Sequence, residues 1–109
     1  HDHTAVYEAT IAATRPTARI LPTEIYIVEN PTYVHSIDPS STFVPDTYIS
    51  LTEELLQAKL NCFRECFPSQ IRENSNYLSE KGIRDWARYR GMEARTEYAE
   101  ALHTYLRIL

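Results

Sequence analysis

The stretch "TEIYIVEN", Thr23 to Asn30, carries four consecutive apolar residues, Ile25 to Val28, every one β-branched or aromatic. Pro22 and Pro31 bracket it. Such a run predicts a short strand buried on both faces, the kind found inside a parallel sheet. A central strand needs neighbours on both edges to satisfy its backbone groups. The other strand candidates, "TYVHSI" (Thr32 to Ile37) and "DTYIS" (Asp46 to Ser50), are weak. The chain thus offers one good central strand and little sheet around it.

Upstream, "TAVYEATIAAT" (Thr4 to Thr14) is rich in alanine and predicts a short helix with Val6, Ala9 and Ala13 on one face. Pro16 ends it by pushing Arg15 out of helical geometry. Downstream, residues 38–47 have turn chemistry. A second helix follows, opened by Ser50 with Glu53 at capping-box spacing, or by Thr52 as the cap. It carries the stripe Leu56, Leu60, Phe63 and Phe67 and is closed by Pro68. Ser69 can start a further turn of helix. A third helix, Ser79 to Arg90, has Ile83, Trp86 and Ala87 inward and Gly91 in the place of a C-terminal cap. A last helix, Met92 to Leu106, sets Ala94, Tyr98, Ala101, Leu102 and Tyr105 on one side. The predicted order is helix, strand, loop, then three or four helices, with no repeat.

At 109 residues the chain is at most one domain. Its 43% apolar and 24% charged residues suit a folded globular chain rather than a disordered one. A net charge of -4 argues against nucleic-acid binding, which needs clustered Lys and Arg. No apolar run reaches membrane-spanning length, and the polar first residues do not form a signal peptide. Cys62 and Cys66, four apart, are a poor disulfide framework and an incomplete zinc site, and read best as small residues packing near a core. A reducing, cytoplasmic setting fits them.

The first three residues, "HDH", are the candidate metal ligands. His1, Asp2 and His3 run straight into a helix of sensible composition, whereas tags are usually homopolymeric and spaced by a linker. Asp2 suits the N-terminus of that helix, where negative charge is favoured. A catalytic zinc needs about three protein ligands and an open position. His35 and His103, the remaining histidines, lack ligand spacing and read as surface or hydrogen-bonded residues.

"HDHTAVYEATIAA" resembles the last three positions of the His-Pro-Asp-His motif, and the helix after it, of the LmbE-like, or PIG-L, zinc-dependent N-deacetylases. "FVPDTYISLTEELLQAKLNCFRECFPSQ" is similar to a later run of that family, with Phe43, Pro45, Lys59, Ser69 and Gln70 at the matching positions. "GIRDWARYRGMEARTEYAEAL" resembles its closing pattern, with Arg90, Gly91, Ala99, Glu100 and Ala101 matched and Leu102 in place of an aromatic. The resemblance covers essentially residues 1–109, in order. It departs at the start: the Ala-His-Pro-Asp-Asp-Glu motif and the first histidine of His-Pro-Asp-His have no counterpart, and His1 stands where the family often has proline. The fold implied is α/β, the helix-rich C-terminal part of a Rossmann-like three-layer domain whose N-terminal sheet half is not in this chain.

The activity implied is hydrolysis of an N-acetyl group from an N-acetylglucosamine-type conjugate, giving amine and acetate. In such chemistry zinc, or another divalent metal, activates water and polarises the acetamide carbonyl while a carboxylate takes the proton. His3 matches a zinc ligand and Asp2 the acidic residue beside it, with an orienting role. The general base belongs to the N-terminal portion, which is therefore the implied partner; a homo-oligomer is also compatible. The alternative is a non-catalytic binding module with a remnant of the fold. Lys59, Ser69 and Gln70 read more plainly as a snorkelling side chain, a cap and a loop hydrogen-bonder. Trp86 and the tyrosines read as core and rim, with Tyr33 and Tyr48 conceivable sugar contacts.

Overall fold

The computed structural model describes residues 2–30, 43–73 and 76–109. Six elements follow in order: α1 (Asp2–Ala13), β1 (Glu24–Val28), β2 (Thr47–Leu51), α2 (Glu53–Cys66), α3 (Glu80–Ala94) and β3 (Tyr98–Arg107). They make a small α/β unit around a three-stranded antiparallel sheet in the order β1-β3-β2. The predicted strand at Ile25 is therefore real but differently placed. Among the described residues β1 lies at an edge of an antiparallel sheet, with Val28 at 71% exposure, rather than in the middle of a parallel one. "DTYIS" supplies the opposite edge, β2, while "TYVHSI" lies outside the described residues.

The larger correction concerns the C-terminus. Residues 98–107, expected as helix, form the central strand. Alanine, glutamate and leucine favour helix locally, but pairing on two edges overrides that preference. Tyr98, Ala99, Ala101 and Leu102 are all buried. Side chains of both parities are thus covered in the first half of β3, which erases the alternation that marks a half-exposed strand. β3 pairs Val28 with Leu102 on one side and Leu51 with Tyr98 on the other. Its partnership with β1 slips between Ile25 and Tyr26. A bulge there adds twist near the open end of the sheet.

Helices α2 and α3 pack on β2 and β3, where Leu56, Leu60, Ala87 and Tyr98 form the core with Leu51 and Ile83 against it. The expected α2 is confirmed, with Thr52 as its cap accepting from the Leu55 N–H at 3.2 Å. Leu56 and Leu60 face inward, whereas Phe67, the last member of the same stripe and the C-cap of α2, is 55% exposed. Pro68 to Gln70 form a turn, so no helix starts at Ser69. α3 begins at the cap Ser79 and runs through Gly91 to Ala94. The left-handed cap is Arg95, at φ 60°, and not Gly91. α1 forms as predicted but buries no residue, leaving Val6 65% and Tyr7 49% exposed.

Asp46 ties the start of β2 to β3. Its Oδ1 accepts the Thr104 N–H at 2.9 Å and the hydroxyls of Thr104 and Thr47, also at 2.9 Å. The backbone hydrogen bond from Thr104 leads in holding its carboxyl below the ordinary aspartate value. A depressed carboxylate contributes stability above its unfolded pKa and loses it as pH falls through the folded one. The Thr104 amide resonance should therefore shift with a midpoint below the ordinary aspartate range, and Asp46→Asn should remove that titration. A midpoint at the ordinary value would show that Asp46 is not held this way in solution.

Candidate functional site

The most organised polar centre lies where α3 crosses the end of β1. Ile83, Trp86, Ala87 and Arg90 follow one another at helical spacing on the inward side of α3, so the guanidinium of Arg90 is carried into the interior. Glu29, directly after β1, meets it. Arg90 donates from Nε to Glu29 Oε1 at 2.9 Å and from Nη2 to Oε2 at 2.6 Å, a two-pronged pair with both side chains under 8% exposed. Its third arm, Nη1, donates to Glu93 Oε1 at 2.6 Å. Trp86 Nε1 donates to Glu29 Oε1 at 2.9 Å, and the Tyr48 hydroxyl donates to Glu93 Oε1 at 3.1 Å.

Aromatic rings wall this ion cluster. The guanidinium lies 4.9 Å from the Trp86 ring centre, 5.4 Å from Tyr89 and 5.8 Å from Phe43. Trp86 and Tyr89 stack at 5.3 Å. Burial alone would disfavour the Arg90 charge, but the hydrogen bonds it donates to Glu29 and Glu93 outweigh it and raise its pKa. Burial, with the bond to Glu93, also pushes the Tyr48 phenol up. Every part of the cluster has a partner, and no buried side-chain nitrogen or oxygen among the described residues is unsatisfied. The cluster is a fully hydrogen-bonded joint between the end of β1 and α3, centred on the Arg90 guanidinium.

Next to it lies a cavity of about 410 Å³, within the range of small-molecule pockets. Phe63, Phe67, Leu78, Ile83 and Trp86 form much of its wall, with Glu29, Lys59 and Glu100 among the polar residues that border it. Lys59 Nζ meets Glu100 Oε1 at 2.5 Å, linking α2 to β3. Both side chains are more than a third exposed, so this pair stabilises by at most about 1 kcal/mol. The cavity suits an apolar group presented beside a charge pair.

The predicted metal ligands are elsewhere. Asp2 and His3 sit in the first turn of α1, both exposed. His1 and His35 lie outside the described residues. His103 is on β3, with Nδ1 2.8 Å from the Val44 carbonyl oxygen, the hydrogen-bonded role expected of it. Among the described residues no group of three or more His, Cys, Asp and Glu side chains is placed to hold a metal. Tyr33 is outside the described residues, and the hydroxyl of Tyr48, the other conceivable sugar contact, is already engaged by Glu93.

Sequence reasoning singled out Arg90 and Gly91 but missed Glu29, Glu93 and Tyr48 as their setting. The available signal was Arg90 on the same helix face as Ile83 and Ala87, a buried position for a charge, which demands a counter-ion. No helix among the described residues is long and apolar enough to cross a membrane. No family model, no curated protein and no solved structure matches this chain.

Proposed function

We propose that this chain is the C-terminal portion of an LmbE-like zinc-dependent N-deacetylase, acting on an N-acetylglucosamine-type conjugate once joined to an N-terminal portion. In that reading the three strands extend a larger Rossmann-like sheet that the N-terminal portion carries. The observation that carries the proposal is convergence. Phe43, Lys59, Arg90–Gly91 and Ala99–Glu100–Ala101 are among the positions that resemble the family pattern, and they come from two separate stretches. Phe43 stacks near the Arg90 guanidinium, and Lys59 pairs with Glu100. Ala99 and Ala101 are buried in the central strand.

α1 supports the same reading. A free-standing helix of 12 residues is marginal in water, and this one buries no residue. A surface supplied by the N-terminal portion would cover Val6 and Tyr7 and bring further ligands to Asp2 and His3. This chain then contributes one zinc ligand, His3, with Asp2 to orient it, and the general base comes from its partner. The alternative, a non-catalytic binding module, is favoured by the 410 Å³ cavity, which needs no metal to receive a ligand.

The test starts with a denaturing intact-mass spectrum of material purified from its natural source. The expected result is a second polypeptide, or a longer chain, bearing Ala-His-Pro-Asp-Asp, with stoichiometric zinc and release of acetate from an N-acetylglucosamine conjugate. His3→Ala should lower zinc affinity by at least ~100-fold, more than the loss of an outer-shell partner does. A single folded 12.7 kDa species without metal or acetate release would overturn the enzyme reading and leave the binding module.

A further inference from the structure

Cys62 and Cys66 lie one turn apart on α2, with their sulfurs 3.8 Å from each other. Both are exposed, so the expectation that they pack near a core is corrected. Leu56 and Leu60 anchor α2 to the core and Thr52 caps it, so the thiols project from a rigid support. They are poorly placed to bond to each other. Residues four apart on a helix hold their Cβ atoms about 5–6 Å apart. A disulfide brings them to about 3.5–4.5 Å, which would require α2 to bend.

An atom inserted between the sulfurs removes that mismatch. Two metal–sulfur bonds of about 2.3 Å already reach across the 3.8 Å separation, and side-chain rotation that parts the sulfurs opens the angle toward the near-linear arrangement that a two-coordinate soft cation prefers. The number of donors then selects the ion. Among the described residues no third His, Cys, Asp or Glu joins the pair. A cation that needs four protein ligands is therefore poorly served, whereas a soft cation content with two thiolates is well served. Cys62 also borders the apolar cavity beside Phe63. The Cys66 thiol is held above its ordinary pKa, first by its hydrogen bond with Cys62, so a bound ion must displace both protons.

We propose that Cys62 and Cys66 form a two-thiolate site for a soft cation of low coordination number, with cuprous ion the class that fits the donor set. On binding, each thiol gives its proton to solvent and two sulfur–copper bonds form, with no electron transferred. This site is separate from Asp2 and His3 and stands whether or not the chain is part of a deacetylase.

The test uses the full 109-residue chain, reduced and kept free of oxygen, titrated with cuprous ion against a coloured cuprous chelator. One equivalent per chain is expected, and Cys62→Ser and Cys66→Ser should each weaken it by at least ~100-fold, because either leaves a single thiolate. Phenylarsine oxide is the second probe. It condenses with two thiols, forming two arsenic–sulfur bonds and releasing one water, so the wild type should gain one adduct that survives desalting and neither variant should. Circular dichroism of the variants confirms that α2 is retained. Cuprous binding equal in all three proteins, or none by the folded wild type, would overturn the site.

Discussion

Arg90→Met is expected to destabilise the fold by about 3–5 kcal/mol, the usual result of removing one partner from a buried ion pair. The cause is what remains behind. Glu29, 7% exposed, would lose both arms of its guanidinium clamp and, among the described residues, keep the Trp86 N–H. Glu93 would lose its contact at 2.6 Å, and three aromatic rings would face an apolar side chain in place of a cation. Against a total stability of about 5–15 kcal/mol for a domain of this size, such a loss is severe. Urea unfolding followed by tryptophan fluorescence measures it, since Trp86 is the only tryptophan. The double variant Glu29→Met with Arg90→Met separates the charge from the packing. If the cost comes from an uncompensated carboxylate, the double variant recovers much of the stability. Equal loss in the single and double variants would mean that the packing of Arg90 matters instead.

Gly91→Ala should be nearly as damaging although it adds one methyl group. A Cβ at this position would stand 2.5 Å from the Glu97 carbonyl oxygen and 2.8 Å from its carbon, with the Thr96 oxygen at 2.9 Å. All three are backbone atoms, so no side chain can swing aside. The chain must turn sharply here, because the Thr96 N–H donates to the Gly91 carbonyl at 2.9 Å before β3 begins at Tyr98. Relief requires moving the end of α3 away from the entry to the central strand. Overpacking costs typically about 1–3 kcal/mol, and a rigid contact of this kind belongs at the upper end. Alanine is otherwise the better helix former by about 1 kcal/mol, so any destabilisation measured by thermal or urea unfolding is net of that gain. A Gly91→Ala protein as stable as the wild type would show that the turn at 95–97 is looser in solution than the close approach implies.

These positions also show where the sequence was readable. α2 was legible because its signals agree: Thr52 before an acidic first turn, Leu56 and Leu60 on one face, and Pro68 beyond the end. β1 was legible as a strand but not in its place, since four apolar residues look alike at a sheet edge and in its centre. β3 was not legible. Its alanines, glutamate and leucine are helix formers, and Gly91 looked like a stop signal when its role is to admit a neighbouring backbone. The site divides the same way. Arg90 could be picked out, but Glu29 lies 61 residues earlier, and only the sheet brings the two together. Asp2 and His3 could be named as donor types, while what surrounds them is not a local property of "HDH".

Within this chain, the strand that both others pair with comes last. Among the described residues β1 and β2 each pair with β3 and not with each other, so neither gains a partner within this sheet until 98–107 arrives. During synthesis at the ribosome, α2 and α3 can form as soon as they emerge, but the apolar residues of β1 must wait through most of the remaining translation. That delay favours slow, non-local folding and leaves β1 as an open template for pairing with other chains. The Pro22 before it and Pro31 after it then act as guards, limiting how far a mistaken ladder could extend along the nascent chain.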